Sequence, residues 1–211
     1  SNITISLPDG SRRELPAGST ALDLAASIGS GLRKAAVAAT VDGIDTDLTV
    51  PLSDGSVVAL ITHDTDAGRH VLRHSTAHVL AQAVTQLYPG AKFTIGPAIE
   101  NGFYYDFDLP DGTTFSDDDL ERIEARMRDI VRENQPFVRS EHTMAEAKEL
   151  VADQPYKVEI IERVEAAQQA GGSADTEDAG EVAGYGIISA YRNTHDFIDM
   201  CVGPHVPSTG K

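Results

Sequence analysis

The chain has one cysteine, Cys201, in 211 residues, so an internal disulfide is excluded. A reducing, cytoplasmic setting is the expectation. Basic residues are scarce: 17 Lys and Arg stand against 33 Asp and Glu, a formal net charge of −16. That balance argues against indiscriminate binding along phosphate backbones, while leaving room for a local pocket that takes one nucleic-acid end. No apolar run approaches the roughly 18 residues of a membrane span. The N-terminus lacks the basic, apolar, small-residue order of a signal peptide. No membrane partner is expected. At 41% hydrophobic and 24% charged residues, the composition suits one large or two modest globular domains.

Residues 1–63 read as a small domain. Ile3, Ile5 and Leu7 alternate with polar neighbours, as in a half-buried strand. Pro8-Asp9-Gly10 turns the chain, and Arg12 to Leu15 return as a second strand. Ser19 or Thr20 can cap a helix through Ile28, with Asp23 in its first turn and Gly29 and Gly31 ending it. Val37–Val41, the Asp42-Gly43 turn and a strand near Val57–Ile61 complete a ββαββ-like plan. Nothing in this part suggests catalysis; a binding or spacer module is the expectation.

Residues 64–211 read as a larger domain. A helix over about Ala67–Tyr88 has Val71, Leu72, Val79, Leu80, Ala83, Val84 and Leu87 on its core face. Gly102–Phe107 is aromatic and strand-like. Ser116 and Asp119 form a capping box before a helix whose stripe is Leu120, Ile123, Met127, Ile130 and Val131; this stripe is expected in the core, and Pro136 should end the helix. Phe137–His142 reads as a strand, and Thr143 with Glu146 as a second capping box. Pro155 separates that helix from one beginning at Tyr156. Residues 168–184 are rich in Gly, Ala and acid, which predicts a mobile surface insertion. Tyr185–Tyr191 and Phe197–Met200 suggest a hairpin around Arg192–His195. No internal repeat is visible.

Two separated pieces carry the chemistry. His74 and His78 are four residues apart in a helical pattern and so share one face. Cys201 and His205 flank a Gly203-Pro204 turn after an apolar strand. His-x3-His with Cys-x3-His suits tetrahedral zinc. The same four side chains also suit a metal-free hydrolytic pocket in which imidazoles place water and hydroxyls. A third reading makes the histidines structural in a non-catalytic interaction module. Cys201 as a nucleophile has no oxyanion loop or third triad member to support it. Read locally, Lys157 is a snorkelling surface lysine and Asp199 an edge carboxylate.

The run Arg73-His74-Ser75-Thr76-Ala77-His78-Val79-Leu80-Ala81 resembles the histidine motif of the editing domain of threonyl-tRNA synthetases. So do Ile95-Gly96-Pro97, Asn101–Asp106, Pro155–Glu159 and Asp199-Met200-Cys201 with Gly203-Pro204-His205, in the family's order. Residues 1–63 resemble the TGS domain, a ubiquitin-like β-grasp module, that precedes it. The expected fold class is therefore α+β: a β-grasp TGS domain, then a larger α/β editing domain (64–211) with an antiparallel sheet and helices. Alanyl-tRNA synthetases have a related module without this TGS domain. Val202 stands where the family often has Arg.

The resemblance implies hydrolysis of serine wrongly esterified to the 3′ CCA end of threonine tRNA. A pocket made for threonine rejects the smaller serine by only about 1–3 kcal/mol, or roughly 10–200-fold, so a second, excluding pocket is needed. By resemblance, His74, Lys157, Asp199 and His205 are catalytic, and His78, Gly96, Tyr105 and Cys201 bind substrate. The alanyl-type module uses such a ligand set for zinc, whereas the threonyl-type pocket is metal-free; the threonyl-type motifs favour no metal and no cofactor for editing. The alternative is a zinc-dependent hydrolase using His74, His78, Cys201 and His205. ATP and zinc are expected only for an aminoacylation core, which nothing in this sequence resembles, and the full-length parent is expected to be a homodimer.

Overall fold

The structure, a computed structural model, describes residues 1–170, 183–184, 187–194 and 196–211. The chain divides into two compact units. One comprises Ser1–Ser75 with Gly203–Pro207 and Lys211; the other comprises Thr76–Val202 with Ser208–Gly210. The fold class is α+β, as expected.

In the first unit, β1 (Asn2–Ser6) and β2 (Arg12–Pro16) form an antiparallel hairpin. Asp9 closes its turn by accepting the Ser11 amide at 2.9 Å, and Gly10 supplies φ of 82°. Helix α1 (Ala21–Ile28) starts at Thr20, whose side chain and that of Asp23 cap each other's backbone. Gly29 ends α1, but Gly31 does not terminate anything: it lies inside α2 (Ser30–Ala35), a turn and a half that the two glycines concealed. Strand β3 (Ala36–Val41) is central in a three-stranded antiparallel sheet between β4 (Ile44–Thr46) and β5 (Val58–Thr62). β4 lies outside the expected ββαββ plan. Asp42 and Gly43 both have positive φ, the geometry of a tight hairpin turn, and it folds three further residues onto β3. A parallel bridge joins Ser6 to Val57. Ile5, Ala21, Leu24, Ala25, Ala36, Leu48 and Val58 are wholly buried between helix and strands.

Helix α3 (Asp66–Leu87) matches the expected span within a residue. The division between the units falls inside it.

In the second unit, the aromatic segment is not one strand. β8 (Gly102–Phe103) pairs with β7 (Ala98–Ile99), while β9 (Phe107–Asp108) pairs with β6 (Lys92–Phe93). Serving two partners, the chain bends between them at Tyr104–Asp106. Helix α4 (Asp117–Glu133) begins with the expected Ser116–Asp119 capping box. Its stripe is only partly core: Ile123 and Ile130 are buried, but Leu120 and Val131 are exposed. The buried pair lies seven residues apart on one narrow line, and the other two flank it. Pro136 does not end α4; Asn134 does, in the left-handed conformation.

β10 (Val138–His142) begins one residue later than expected, and α5 (Met144–Leu150) carries the Thr143–Glu146 capping box. Helix α6 runs Pro155–Gln169, with the proline opening it. The first residues of the expected insertion are thus helical, and β11 (Ala183–Gly184) is a strand; residues 171–182 of that stretch lie outside the described residues. β12 (Ile187–Thr194) is the centre of an antiparallel sheet and pairs with β10, β11 and β13 (Phe197–Met200). Tyr185 and His195, both in the expected hairpin, are outside the described residues. Ala147, Val151, Ile160 and Ile161 from the helices pack with Ile188, Ala190 and Met200 from the sheet. No helix among the described residues is long and apolar enough to cross a membrane.

Candidate functional site

Helix α3 presents His74, Ser75 and His78, and all three are buried. A buried polar side chain is costly without hydrogen-bond partners, so their surroundings are informative.

In the first unit, His74 and His205 are brought together, their ring centroids 4.4 Å apart and tilted by 43°. His205 is wholly buried. Its Nδ1 lies 2.9 Å from Ser75 Oγ, and the Val206 amide donates to that same hydroxyl oxygen at 3.1 Å. The His205 amide donates to Asp47 Oδ1 at 2.8 Å. Gly203, with φ of 75°, makes the turn that leads into this segment.

In the second unit, Lys157 and Asp199 form an ion pair at 2.5 Å, each side chain 1% exposed. Tyr105 donates its hydroxyl to the other carboxylate oxygen, Oδ2, at 2.5 Å, and Lys157 Nζ is 3.4 Å from that hydroxyl. His78 Nε2 lies 3.5 Å from Oδ2. Asp199 Oδ1 also accepts the Met200 amide at 2.7 Å. The lysine ammonium sits over the rings of Phe93 and Tyr105, 5.2 and 5.8 Å from their centroids. Both local expectations are overturned. Lys157 is no surface lysine and Asp199 no edge carboxylate.

The backbone explains how the sequence achieves this. Lys157 is the third residue of α6, at the end where the helix dipole disfavours a cation. Its position therefore does nothing for the helix; the Asp199 carboxylate compensates it. Asp199 stands opposite Tyr191 on the central strand β12. Cys201, just past β13, is buried and donates its amide to Ser189 at 3.2 Å. Gly96 is needed for contact: a Cβ there would lie 2.2 Å from the Tyr105 ring. Its lack of a side chain lets that ring lie flat enough against the backbone for the hydroxyl to reach Asp199.

Burial pushes the His78 imidazole down to about 4; Asp199 resists that fall and Lys157 adds to it. His78 is therefore neutral at pH 7. Burial works against the Asp199 charge, but Lys157, His78 and the hydrogen bonds from Lys157 and Tyr105 outweigh it and hold the carboxyl below its ordinary range. The second unit thus holds a charged lysine–aspartate pair with a neutral imidazole at its edge, out of water. Such a group can donate hydrogen bonds, stabilise developing negative charge and orient water. Among the described residues, His74, His78, Cys201 and His205, all buried, are a set whose side chains could supply metal ligands.

Sequence reasoning missed Asp47, Ser75 and Phe93. Ser75 lies within the histidine motif, and its hydroxyl between two imidazoles was a usable signal. Asp47 gave none, since it looks like any other acid in a turn.

Residues 3–62, the β-grasp module at the start of the chain, match the TGS domain family. Along its whole length the chain is similar to threonine–tRNA ligases. It is 46% identical over 213 residues to that of Pelobacter propionicus, covering 100% of this chain and 30% of the relative. It is 48% identical over 208 residues to that of Acidithiobacillus ferrooxidans (98% and 29%), and 46% identical over 211 residues to that of Maricaulis maris (99% and 30%). The chain thus spans about 30% of the length of the curated relatives it matches.

Proposed function

We propose that this chain is a TGS domain (1–63) followed by an editing domain (64–211) that hydrolyses serine from mischarged threonine tRNA. The observation that carries the reading is the buried Lys157–Asp199 pair, with Tyr105 and His78 on the same carboxylate. Two charges in an apolar interior cost several kcal/mol to desolvate, of order of the attraction they regain, so the pair is a poor device for stability alone. It is a good device for holding a cation and a hydroxyl at fixed positions beside an ester. The similarity to threonine–tRNA ligases supports threonine tRNA as partner.

The reaction is addition of water to the ester carbonyl, followed by loss of the ribose oxygen. One C–O bond forms and one breaks, leaving free serine and a free terminal ribose hydroxyl. Lys157 stabilises negative charge growing on the carbonyl oxygen, and Asp199 holds Lys157 and receives the seryl ammonium. His74 and His205 place the ribose hydroxyls and the attacking water. His78, Tyr105 and Cys201 line the amino-acid pocket, where the extra methyl of threonine meets a wall. Gly96 supports that wall through the Tyr105 ring. No cofactor is required for an ester.

The test is to follow ester loss from threonine tRNA carrying serine and, separately, threonine. Selective loss of the seryl ester is expected, and Lys157→Ala and His74→Ala should each abolish it. Equal loss of both esters, or unchanged activity in either variant, defeats the reading. The second reading is a zinc-dependent hydrolase; the His3Cys chemistry of His74, His78, Cys201 and His205 favours it. Metal analysis of protein purified without added zinc separates the two: one tightly held zinc per chain, with activity lost to a chelator, selects the second.

A further inference from the structure

His205 is held at two points by residues with no part in the roles above. Asp47 belongs to the segment matched as a TGS domain, 158 residues away in sequence, and its carboxylate accepts the His205 backbone amide at 2.8 Å. Asp47 is itself buried, at 6% exposure. Burying a carboxylate costs free energy that a hydrogen bond recovers only in part, so placing one here at a backbone amide pins the chain position of His205. Ser75 acts on the ring. Its oxygen receives the Val206 amide, which directs the hydroxyl proton elsewhere, and His205 Nδ1 lies 2.9 Å away. With Ser75 donating, Nδ1 is an acceptor, and the neutral imidazole carries its proton on Nε2.

We infer that Asp47 and Ser75 are positioning residues for His205: Asp47, in the TGS segment, fixes where the residue stands, and Ser75 fixes its tautomer, so that the ring presents Nε2–H as a donor. This rests on the editing reading above. It also gives the TGS segment a task in the reaction beyond that of a spacer. An imidazole in the wrong tautomer offers a lone pair where a proton is needed, which lowers turnover without removing the binding surface.

The experiment compares the unsubstituted 211-residue chain with Asp47→Ala, Asp47→Asn, Ser75→Ala and Ser75→Thr. Seryl-tRNA hydrolysis is measured as kcat and KM separately, and the His205 ring nitrogens are read by 15N NMR. Asp47→Ala and Ser75→Ala are expected to lower kcat by roughly tenfold, the scale of one buried hydrogen bond, with KM little changed. Asn at 47 still offers an acceptor and Thr at 75 still offers a hydroxyl, so both should recover most of the rate. The nitrogen spectrum should show protonation on Nε2 in the parent chain and in Ser75→Thr, and a shift toward Nδ1 in Ser75→Ala. Should Asp47→Ala not fold, Asp47→Asn with the Ser75 pair still decides. An active parent chain with unchanged kcat and an unchanged His205 spectrum in Ser75→Ala overturns the inference while sparing the editing reading. An inactive parent chain overturns the editing reading and, with it, any role for these residues in that reaction.

Discussion

Two of the ion pairs that helix α6 makes have the same length. Lys157 meets Asp199 at 2.5 Å near the start of the helix, and Arg163 meets Glu159 at 2.5 Å one turn further on. The first pair is 1% exposed on both sides; in the second, 52% and 55% of the side chains face water. Water screens the outer pair and offers each partner an equally good alternative, so the contact contributes little. The inner pair has no such alternative. Its partners depend on each other, on the Tyr105 hydroxyl and on the rings beneath the ammonium. Separation in ångströms is therefore no guide to importance here; the surrounding dielectric is.

The largest effect should come from removing one inner partner. Asp199→Ala or Lys157→Ala leaves a buried charge uncompensated and should destabilise the chain by about 3–5 kcal/mol. The double substitution Lys157→Met with Asp199→Leu should recover most of that stability, yet have no deacylase activity. Denaturant unfolding checks the first statement and the ester assay the second. If Asp199→Ala costs no more than Arg163→Ala, the two pairs do not differ as argued.

Acid should act next. The His78 imidazole titrates at about 4 in the fold against an ordinary value of 6.5. Above pH 6.5 it is neutral folded or unfolded, and stability is complete. Between 6.5 and about 4 only the unfolded chain takes up the proton, so stability falls with pH, by on the order of 3 kcal/mol. Asp199, held low, adds a further loss below the ordinary carboxylate value of 3.8, where the unfolded chain protonates first. Unfolding free energies at stepped pH test this. His78→Gln should flatten the upper part of the curve; an unaltered slope there would mean that another group is responsible.

A smaller effect is expected at the Tyr105 hydroxyl. Tyr105→Phe removes one donor from the buried carboxylate and should cost about 1–3 kcal/mol, with a matching loss of activity. Gly96→Ala should disturb the same contact from below, since the new methyl would collide with the ring. The smallest effect belongs to the outer pair: Arg163→Ala should change stability by less than about 0.5 kcal/mol, and added salt should reduce that further.

Local chemistry made much of this fold readable. The three capping boxes at Thr20, Ser116 and Thr143 join residues only three apart, so each helix start is encoded in one short stretch; Thr143 and Ser116 were legible as boxes, Thr20 as a cap. The α3 span followed from its apolar face. The errors have a common form. α2 was hidden by glycines that its six residues tolerate, β4 by its brevity, and the bend in 102–107 by the need to pair with two different strands. The motif order around His74, Lys157 and Asp199 was visible too, but only as a resemblance; composition and periodicity assigned both Lys157 and Asp199 to the surface.

By itself, the sequence determined the α+β class, the starts of the three capped helices, the opening hairpin and helix of the first segment and the residue types available for chemistry, because these depend on neighbours a few positions apart. Tertiary structure alone decided which charges are dry. Asp199 is far from Lys157 in sequence, Tyr105 from Asp199, and Asp47 from His205, and no periodicity links them. Whether a carboxylate is ordinary or functional depends on how much water it has lost and on which groups have replaced that water, and those are set by packing.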